Sequence, residues 1–226
     1  MASTVTGRVD DGAPPPLRRA PARDGDDRSP RLLPVAVLLL AVAFTSSAAT
    51  FWWSERSSDP GAADIGFYDD MTAHHVQALE MARIYLRGGD DAVLQHIAWE
   101  IAFTQSGDIR MMQQALTDWG EPGSADVAMD WMGMPVAPDA QPGMAAENEM
   151  AELERARGRD LDDLFTRLMI DHHAGGVHMA SAAADMARLG EVRTLARAMA
   201  AGQRAEIGEL NSIRQRLGLP RHEPAL

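Results

Sequence analysis

The sequence predicts an all-α fold: a four-helix bundle made of two repeated helical hairpins and preceded by one transmembrane helix. Three observations predict it. The pattern FYDDMTAHHVQALEMA at residues 67–82 returns 98 positions later as FTRLMIDHHAGGVHMA at residues 165–180, aligned without a gap. Apolar residues in and after each copy recur at three- and four-residue spacing, the period of a helix face, rather than in alternation. Residues 32–53 form a 22-residue stretch without a charge, which matches the roughly 20 residues a bilayer-crossing helix needs.

Taken in order, residues 1–31 carry Pro14, Pro15, Pro16 and scattered Arg and Asp, and are expected to be a disordered cytoplasmic leader. The stretch 32–53, LLPVAVLLLAVAFTSSAATFWW, follows Arg28 and Arg31 and ends on Trp52 and Trp53, where an interfacial aromatic belt would lie. Positive-inside orientation then leaves residues 54–226 outside, on a single-pass protein of the cell membrane. The alternative is a signal peptide cleaved after the small residues Ser46, Ser47 and Ala48, releasing a secreted bundle. A 31-residue leader is long for that and favours the anchor.

The first hairpin places Phe67, Met71, Ala78, Met81 and Tyr85 on one helix. Gly88 and Gly89 break it, and Asp90 or Asp91 can cap the next helix, which carries Val93, Ile97, Ile101, Ile109, Met112 and Leu116. In the second hairpin the break is expected at Gly190, between Leu189 and Val192. The 98-residue offset persists: Gln105 matches Gln203, Asp108 matches Glu206, Ile109 matches Ile207 and Gly120 matches Gly218. Units 67–120 and 165–218 are therefore copies. One amphipathic hairpin cannot cover its own apolar face, so two pack into a bundle. Between them, residues 120–146 have loop composition, with Pro122, Pro135, Pro138 and Pro142.

Composition narrows the chemistry. With no cysteine, the chain has no disulfide, thiolate metal site or cysteine nucleophile. All 21 basic residues are arginine, so a phosphate-loop lysine is excluded. Residues 54–226 hold 15 Arg against 28 acids, a net charge of −13. That charge repels nucleic acid, so no nucleic-acid partner is expected, and it attracts cations. Serine-hydrolase and zinc-protease signatures are absent, and no Asp or Glu stands three residues before any histidine, as a carboxylate-bridged di-iron bundle requires. No catalytic residue is assigned.

What remains is metal binding. Four of the seven histidines are placed by the duplication: His74 and His75, His172 and His173. Methionines bracket each pair, Met71 and Met81 in the first copy, Met169 and Met179 in the second. On a helix each set forms a stripe about 15 Å long, with adjacent histidines about 100° apart. One of each pair can then face the bundle while the other turns to a neighbour or to solvent. Imidazole and thioether are metal ligands, and thioether favours soft ions such as Cu(I). His178 adds a third histidine where the first copy has Glu80, and Met186 extends the second stripe. The linker methionines Met129, Met132, Met134 and Met144 offer a further soft-metal surface, or else pack the crossover with Trp131, since methionine fills irregular gaps well. Ala78, Gly175 and Gly176 leave room for a helix or a ligand. Read singly, each histidine is equally a hydrogen-bonded core residue and each methionine a core filler.

The paired Met-x-x-His-His-x5-Met-Ala segments, the Gln105/Asp108/Ile109 and Gln203/Glu206/Ile207 triplets and the Met- and Trp-bearing linker together resemble the bacterial domain of unknown function 305 family, over residues 64–219. That resemblance implies a ferritin-like four-helix bundle. It also implies, by likeness to its CopM-like members, a periplasmic or secreted binder of copper and silver through His and Met, with the eight motif residues above as ligands.

The expected function is membrane-anchored, extracytoplasmic binding of copper, as Cu(I) or Cu(II) with silver as an alternative, for sequestration or handover. The partners are the metal ion and, through the N-terminal helix, the membrane; the sequence specifies no protein partner. Two rivals stand beside it. One is a structural or interaction module of the cell envelope. The other is a redox enzyme whose bundle-centred metal takes a carboxylate such as Asp70, Asp171 or Glu80. Proton competition should weaken metal binding as pH falls through about 6.5, the ordinary imidazole range.

Overall fold

The computed structural model describes residues 59–224 apart from 122, 124 and 125. The leader and the apolar stretch 32–53 lie outside the described residues. Among the described residues no helix is long and apolar enough to cross a membrane.

Four long helices and one short one make up this part: α1 (Ala62–Gly88), α2 (Ala92–Trp119), α3 (Glu147–Arg155), α4 (Gly158–Met186) and α5 (Gly190–Arg216). α1 packs on α2 and α4 on α5, as the two hairpins require, and α1 meets α4 between them. The apolar residues separate into two clusters. One joins Ala78–Tyr85 of α1, Leu94–Ile101 of α2, Leu161–Ile170 of α4 and Leu210 and Ile213 of α5. The other joins Phe67–Met71 of α1, Met112 and Leu116 of α2, Met179–Ala184 of α4 and Val192–Ala200 of α5. This sharing fixes the directions: α1 runs antiparallel to α4, while α2 and α4 run the same way. The connection from α2 to α4 must therefore travel back along the bundle, which makes this a bundle with one long crossover.

The duplication is visible in the caps. Gly120 and Gly218 both take left-handed backbone, at φ 79° and 68°. Each ends its helix with an equivalent pair of bonds: Gly120 N to Thr117 O and Glu121 N to Leu116 O, against Gly218 N to Gln215 O and Leu219 N to Arg214 O. Asp91, not Asp90, caps α2, accepting from Val93 N and Leu94 N.

Two details differ from expectation. The break in the second hairpin falls at residues 187–189, and Gly190 is already the first residue of α5. The reason is tertiary. The buried Asp64 carboxylate of α1 accepts from Arg188 N (3.1 Å) and Leu189 N (2.9 Å), so the turn is held by another helix and needs no glycine. The second difference is α3, a fifth helix at the end of the crossover. Its only fully buried side chain is Leu153, which anchors it to the first cluster.

The crossover packs against the bundle. Trp131 lies over Gly66, where a Cβ would sit 2.3 Å from its ring. Asp70 accepts from both Trp131 Nε1 (2.7 Å) and Met129 N (2.8 Å). Further on, the Gln77 amide grips Ala145 through both its N–H and its carbonyl.

Candidate metal centre

The repeated histidines occupy the layer between the two apolar clusters. α1 brings in His74 and His75, and α4 brings in His172 and His173, with none of the four more than 1% exposed. Of the two expected places for the second histidine of each pair, a neighbour or solvent, burial leaves the neighbour. The inner two meet across the α1–α4 contact, with ring centroids 3.7 Å apart. The outer two turn toward their own hairpin partners. His173 Nε2 lies 2.6 Å from Glu206 of α5, and His75 Nε2 lies 3.6 Å from Asp108 of α2.

Hydrogen bonding sets the tautomers. His74 Nε2 donates to the carbonyl of Pro142 at 3.1 Å, and His172 Nε2 donates to the backbone carbonyl of His74 at 2.9 Å. A carbonyl only accepts, so both protons are on Nε2. Nδ1 has no hydrogen-bond partner in any of the four rings, although all are buried. Gln105 Oε1, Gln203 Oε1 and both polar atoms of the Gln141 amide are likewise unpartnered. An unsatisfied buried polar group costs about 1–3 kcal/mol, and such groups call for an explanation such as a bound ion.

Electrostatics disfavours charge on three of the four rings. Burial, and then the neighbouring His75 and His173, lower the pKa of His74 to about 3. Burial likewise lowers His75, against the pull of Asp108, and lowers His172 well below the ordinary range. Neutral imidazoles with bare lone pairs fit a cation. The earlier expectation that protons compete near pH 6.5 is therefore corrected: in the fold that competition moves to lower pH. Among the described residues no three His, Asp or Glu side chains close on one point as a finished ligand set. The unpartnered imidazole nitrogens of the layer are all Nδ1.

The methionines supply thioethers on either side. All four motif methionines are fully buried; Met81 and Met169 belong to one flanking cluster, Met71 and Met179 to the other. Met71 and Met169 stand three residues before the His pairs, one helical turn away.

A backbone strap covers the layer. A Cβ at Gly175 would lie 1.7 Å from Pro142 O, and one at Gly143, where φ is +80°, would lie 2.2 Å from Asp171 O. These two glycines let residues 142–143 cross α4 against its backbone. Gly176 admits the Gln203 side chain instead, since its Cβ would fall 2.1 Å from Gln203 Oε1. The small residues thus serve the strap and a neighbouring side chain.

Other expected ligands are placed elsewhere. His178 is exposed, because five residues at about 100° each turn it about 140° from His173. Met186 is the last residue of α4 and 50% exposed. Met129 is buried in the Phe67–Met179 cluster and Met132 packs against it, so these two serve packing. Met144 is half-buried, and Met134 is 48% exposed at the surface. The carboxylates considered for a redox centre are engaged away from the layer or turned outward. Asp70 holds Trp131 and Met129, Asp171 meets His222 Nε2 at 2.8 Å, and Glu80 is exposed. Sequence reading missed Pro142 and gave Asp108, Glu206, Gln105 and Gln203 no role. The signal for the last four was the 98-residue offset itself.

The sequence profile of the domain of unknown function DUF305 matches residues 64–214. The chain belongs to the DUF305 family. Similar solved DUF305 structures include one from Streptomyces coelicolor, at 36% identity and TM-score 0.66, covering 71% of this chain and 97% of that one. Another, a fragment from Deinococcus radiodurans, has 30% identity and TM-score 0.62, covering 70% and 99%. The chain is also similar to CopM in its Cu(I)-bound form, at 27% identity and TM-score 0.52 over 68% of this chain and 96% of CopM. CopM has also been solved with Cu(II) and with silver. No curated protein matches the chain.

Proposed function

We propose that this DUF305 protein binds copper, as Cu(I) or Cu(II), in the histidine layer between its two hairpins, and sequesters it or hands it on outside the cytoplasm. The observation that carries the reading is the set of four buried imidazoles whose Nδ1 atoms have no partner. Copper is favoured over harder ions because imidazole and thioether are the donors at hand, and the similarity to CopM points the same way. Silver, as a soft ion, is the expected competitor. Elemental analysis of the purified full chain, followed by competitive titration with Cu(I), Ag(I), Cu(II) and Zn(II), tests the reading. A chain that retains no metal after dialysis, and prefers Zn(II) in titration, overturns it.

A second reading has its own observation. The bond from His172 Nε2 to the His74 carbonyl ties α4 to α1, and that from His74 Nε2 to Pro142 ties α1 to the strap. These contacts suit a purely structural layer, in which case the titration shows no stoichiometric binding.

The motif methionines are proposed as Cu(I) ligands. Changing Met71, Met81, Met169 and Met179 to Leu should loosen Cu(I) and spare Cu(II). The cost in stability should stay below about 1.5 kcal/mol per site, because Leu keeps the volume. Paired Cu(I) and Cu(II) titrations with a thermal melt measure both effects. Unchanged Cu(I) affinity would return these side chains to the core.

We propose attachment to the cell membrane through residues 32–53. Cell fractionation and N-terminal sequencing test it. A soluble protein whose N-terminus lies near Ala49 would mean cleavage instead.

A further inference from the structure

We infer that Asp108 and Glu206 are positioning residues for the metal centre: each faces Nε2 of one outer histidine, Glu206 through a hydrogen bond to His173 and Asp108 through a longer charged contact to His75, and so presents that ring's Nδ1 as the ligating atom. The inference rests on the copper reading above and adds which nitrogen binds and what orients it.

The geometry carries it. Glu206 Oε2 lies 2.6 Å from His173 Nε2, and Asp108 Oδ2 lies 3.6 Å from His75 Nε2. Glu206 accepts a hydrogen bond from His173 Nε2, so that nitrogen carries the proton and Nδ1 is left bare; Asp108 faces the matching nitrogen of His75 at a longer distance, and its negative charge favours the proton on that side of the ring. Those Nδ1 atoms are among the buried unpartnered ones. The inner rings reach the same tautomer by a different route, donating Nε2–H to backbone carbonyls. All four rings therefore present the same unprotonated atom. A carboxylate behind the distal nitrogen of a ligating imidazole both orients the ring and raises its basicity.

The duplication supports the assignment independently. His75 and His173 are 98 residues apart, and so are Asp108 and Glu206. Each hairpin repeats the pair with the histidine on its first helix and the carboxylate on its second. The carboxylates are 31% and 29% exposed while the rings are 1% and 0%. The carboxylate charge thus stays at the wet rim, where its solvation is kept, and only the ring enters the layer. A cation arriving there would find two acidic side chains one ring away.

The test uses the full-length chain labelled with 15N-histidine, read by long-range proton–nitrogen correlation of the imidazoles. In the metal-free parent, His75 and His173 should show protonated Nε2 and bare Nδ1. Adding Cu(I), which is diamagnetic, should shift their Nδ1 signals while Nε2–H persists. In Asp108→Ala/Glu206→Ala the two rings should lose the single tautomer, and Cu(I) affinity should fall about 10- to 100-fold. Glu206→Ala alone should cost more than Asp108→Ala alone, following the two distances. The exchange Asp108→Glu/Glu206→Asp keeps both carboxylates and should restore tautomer and affinity, which separates positioning from a general loss of packing. Protonated Nδ1 in the metal-free parent overturns the inference. So does a double Ala variant with parental tautomers and affinity, even though the copper reading would survive it. A parent whose imidazole signals ignore Cu(I) altogether overturns the copper reading and the ligand role with it.

Discussion

Replacing His74, His75, His172 and His173 together by Ala should abolish the proposed tight Cu(II) binding and weaken Cu(I) binding to a smaller degree. Cu(II) relies on imidazole, and the variant keeps no imidazole in the layer between the two apolar clusters. Cu(I) retains Met71, Met81, Met169 and Met179, whose thioethers suit it. Competitive titration of both ions against the parent chain reads the effect, and far-ultraviolet circular dichroism reports whether the helices survive. Four large-to-small changes in one buried layer risk the fold. The paired variant His75→Ala/His173→Ala therefore serves as the milder version, because it spares the two rings whose centroids lie 3.7 Å apart across the α1–α4 contact. A folded quadruple variant that binds both ions as tightly as the parent would make the layer structural.

The metal-free chain should lose stability steadily as pH falls from about 6.5 toward about 3. In the unfolded chain a histidine takes up a proton near its ordinary pKa of about 6.5. In the fold, burial and the neighbouring imidazoles hold His74 neutral down to about 3. Between those values the unfolded state binds more protons, so stability rises with pH and is fully present above about 6.5. Each such histidine contributes a slope of about 1.4 kcal/mol per pH unit. His75 and His172 are shifted in the same direction, so their slopes add to that of His74. Urea midpoints between pH 7.5 and 4.5 measure this before most carboxylates titrate. Asp91, lowered chiefly by its Arg216 partner, acts in the same sense but only at more acid pH. Asp70, raised by burial, acts in the opposite sense near the acid end. His74→Ala should flatten the slope. A flat profile in the parent would mean that the layer takes up protons in the folded state. If copper binds the deprotonated rings as proposed, saturation with it should move the onset of acid unfolding to lower pH.

Much of this was legible in one sequence because duplication supplies an internal comparison. The offset of 98 marked the two His pairs, the flanking methionines, the matching glycines at the hairpin ends and the Asp108/Glu206 pair. Helical spacing then gave the hairpins and left the cap of α2 to Asp90 or Asp91, between which the structure chose Asp91. The crossover was harder to read. Its prolines and glycines say loop, yet Trp131, Met129 and Pro142 find their partners on α1 and α4. Nothing local in residues 120–146 encodes those distant acceptors. α3 escaped for a similar reason, since a short polar helix is held by Leu153 in a core built from other elements.

The sequence by itself determined the hairpins, their number and the residue types that could hold a metal. These follow from periodicity and composition, which are local properties of the chain. Only the tertiary structure decided which of those residues meet. It buried all four motif histidines in one layer, sent His178 to the surface, assigned the linker methionines Met129 and Met132 to packing and held the turn before α5 on Asp64 of α1. It also decided which imidazole nitrogen is bare. That choice depends on groups from four separate segments: α2 and α5 for the outer rings, and for the inner rings the backbone of the strap and of α1 itself. A hydrogen bond between segments far apart in the chain leaves no periodic trace, so its geometry exists only once the chain has closed on itself.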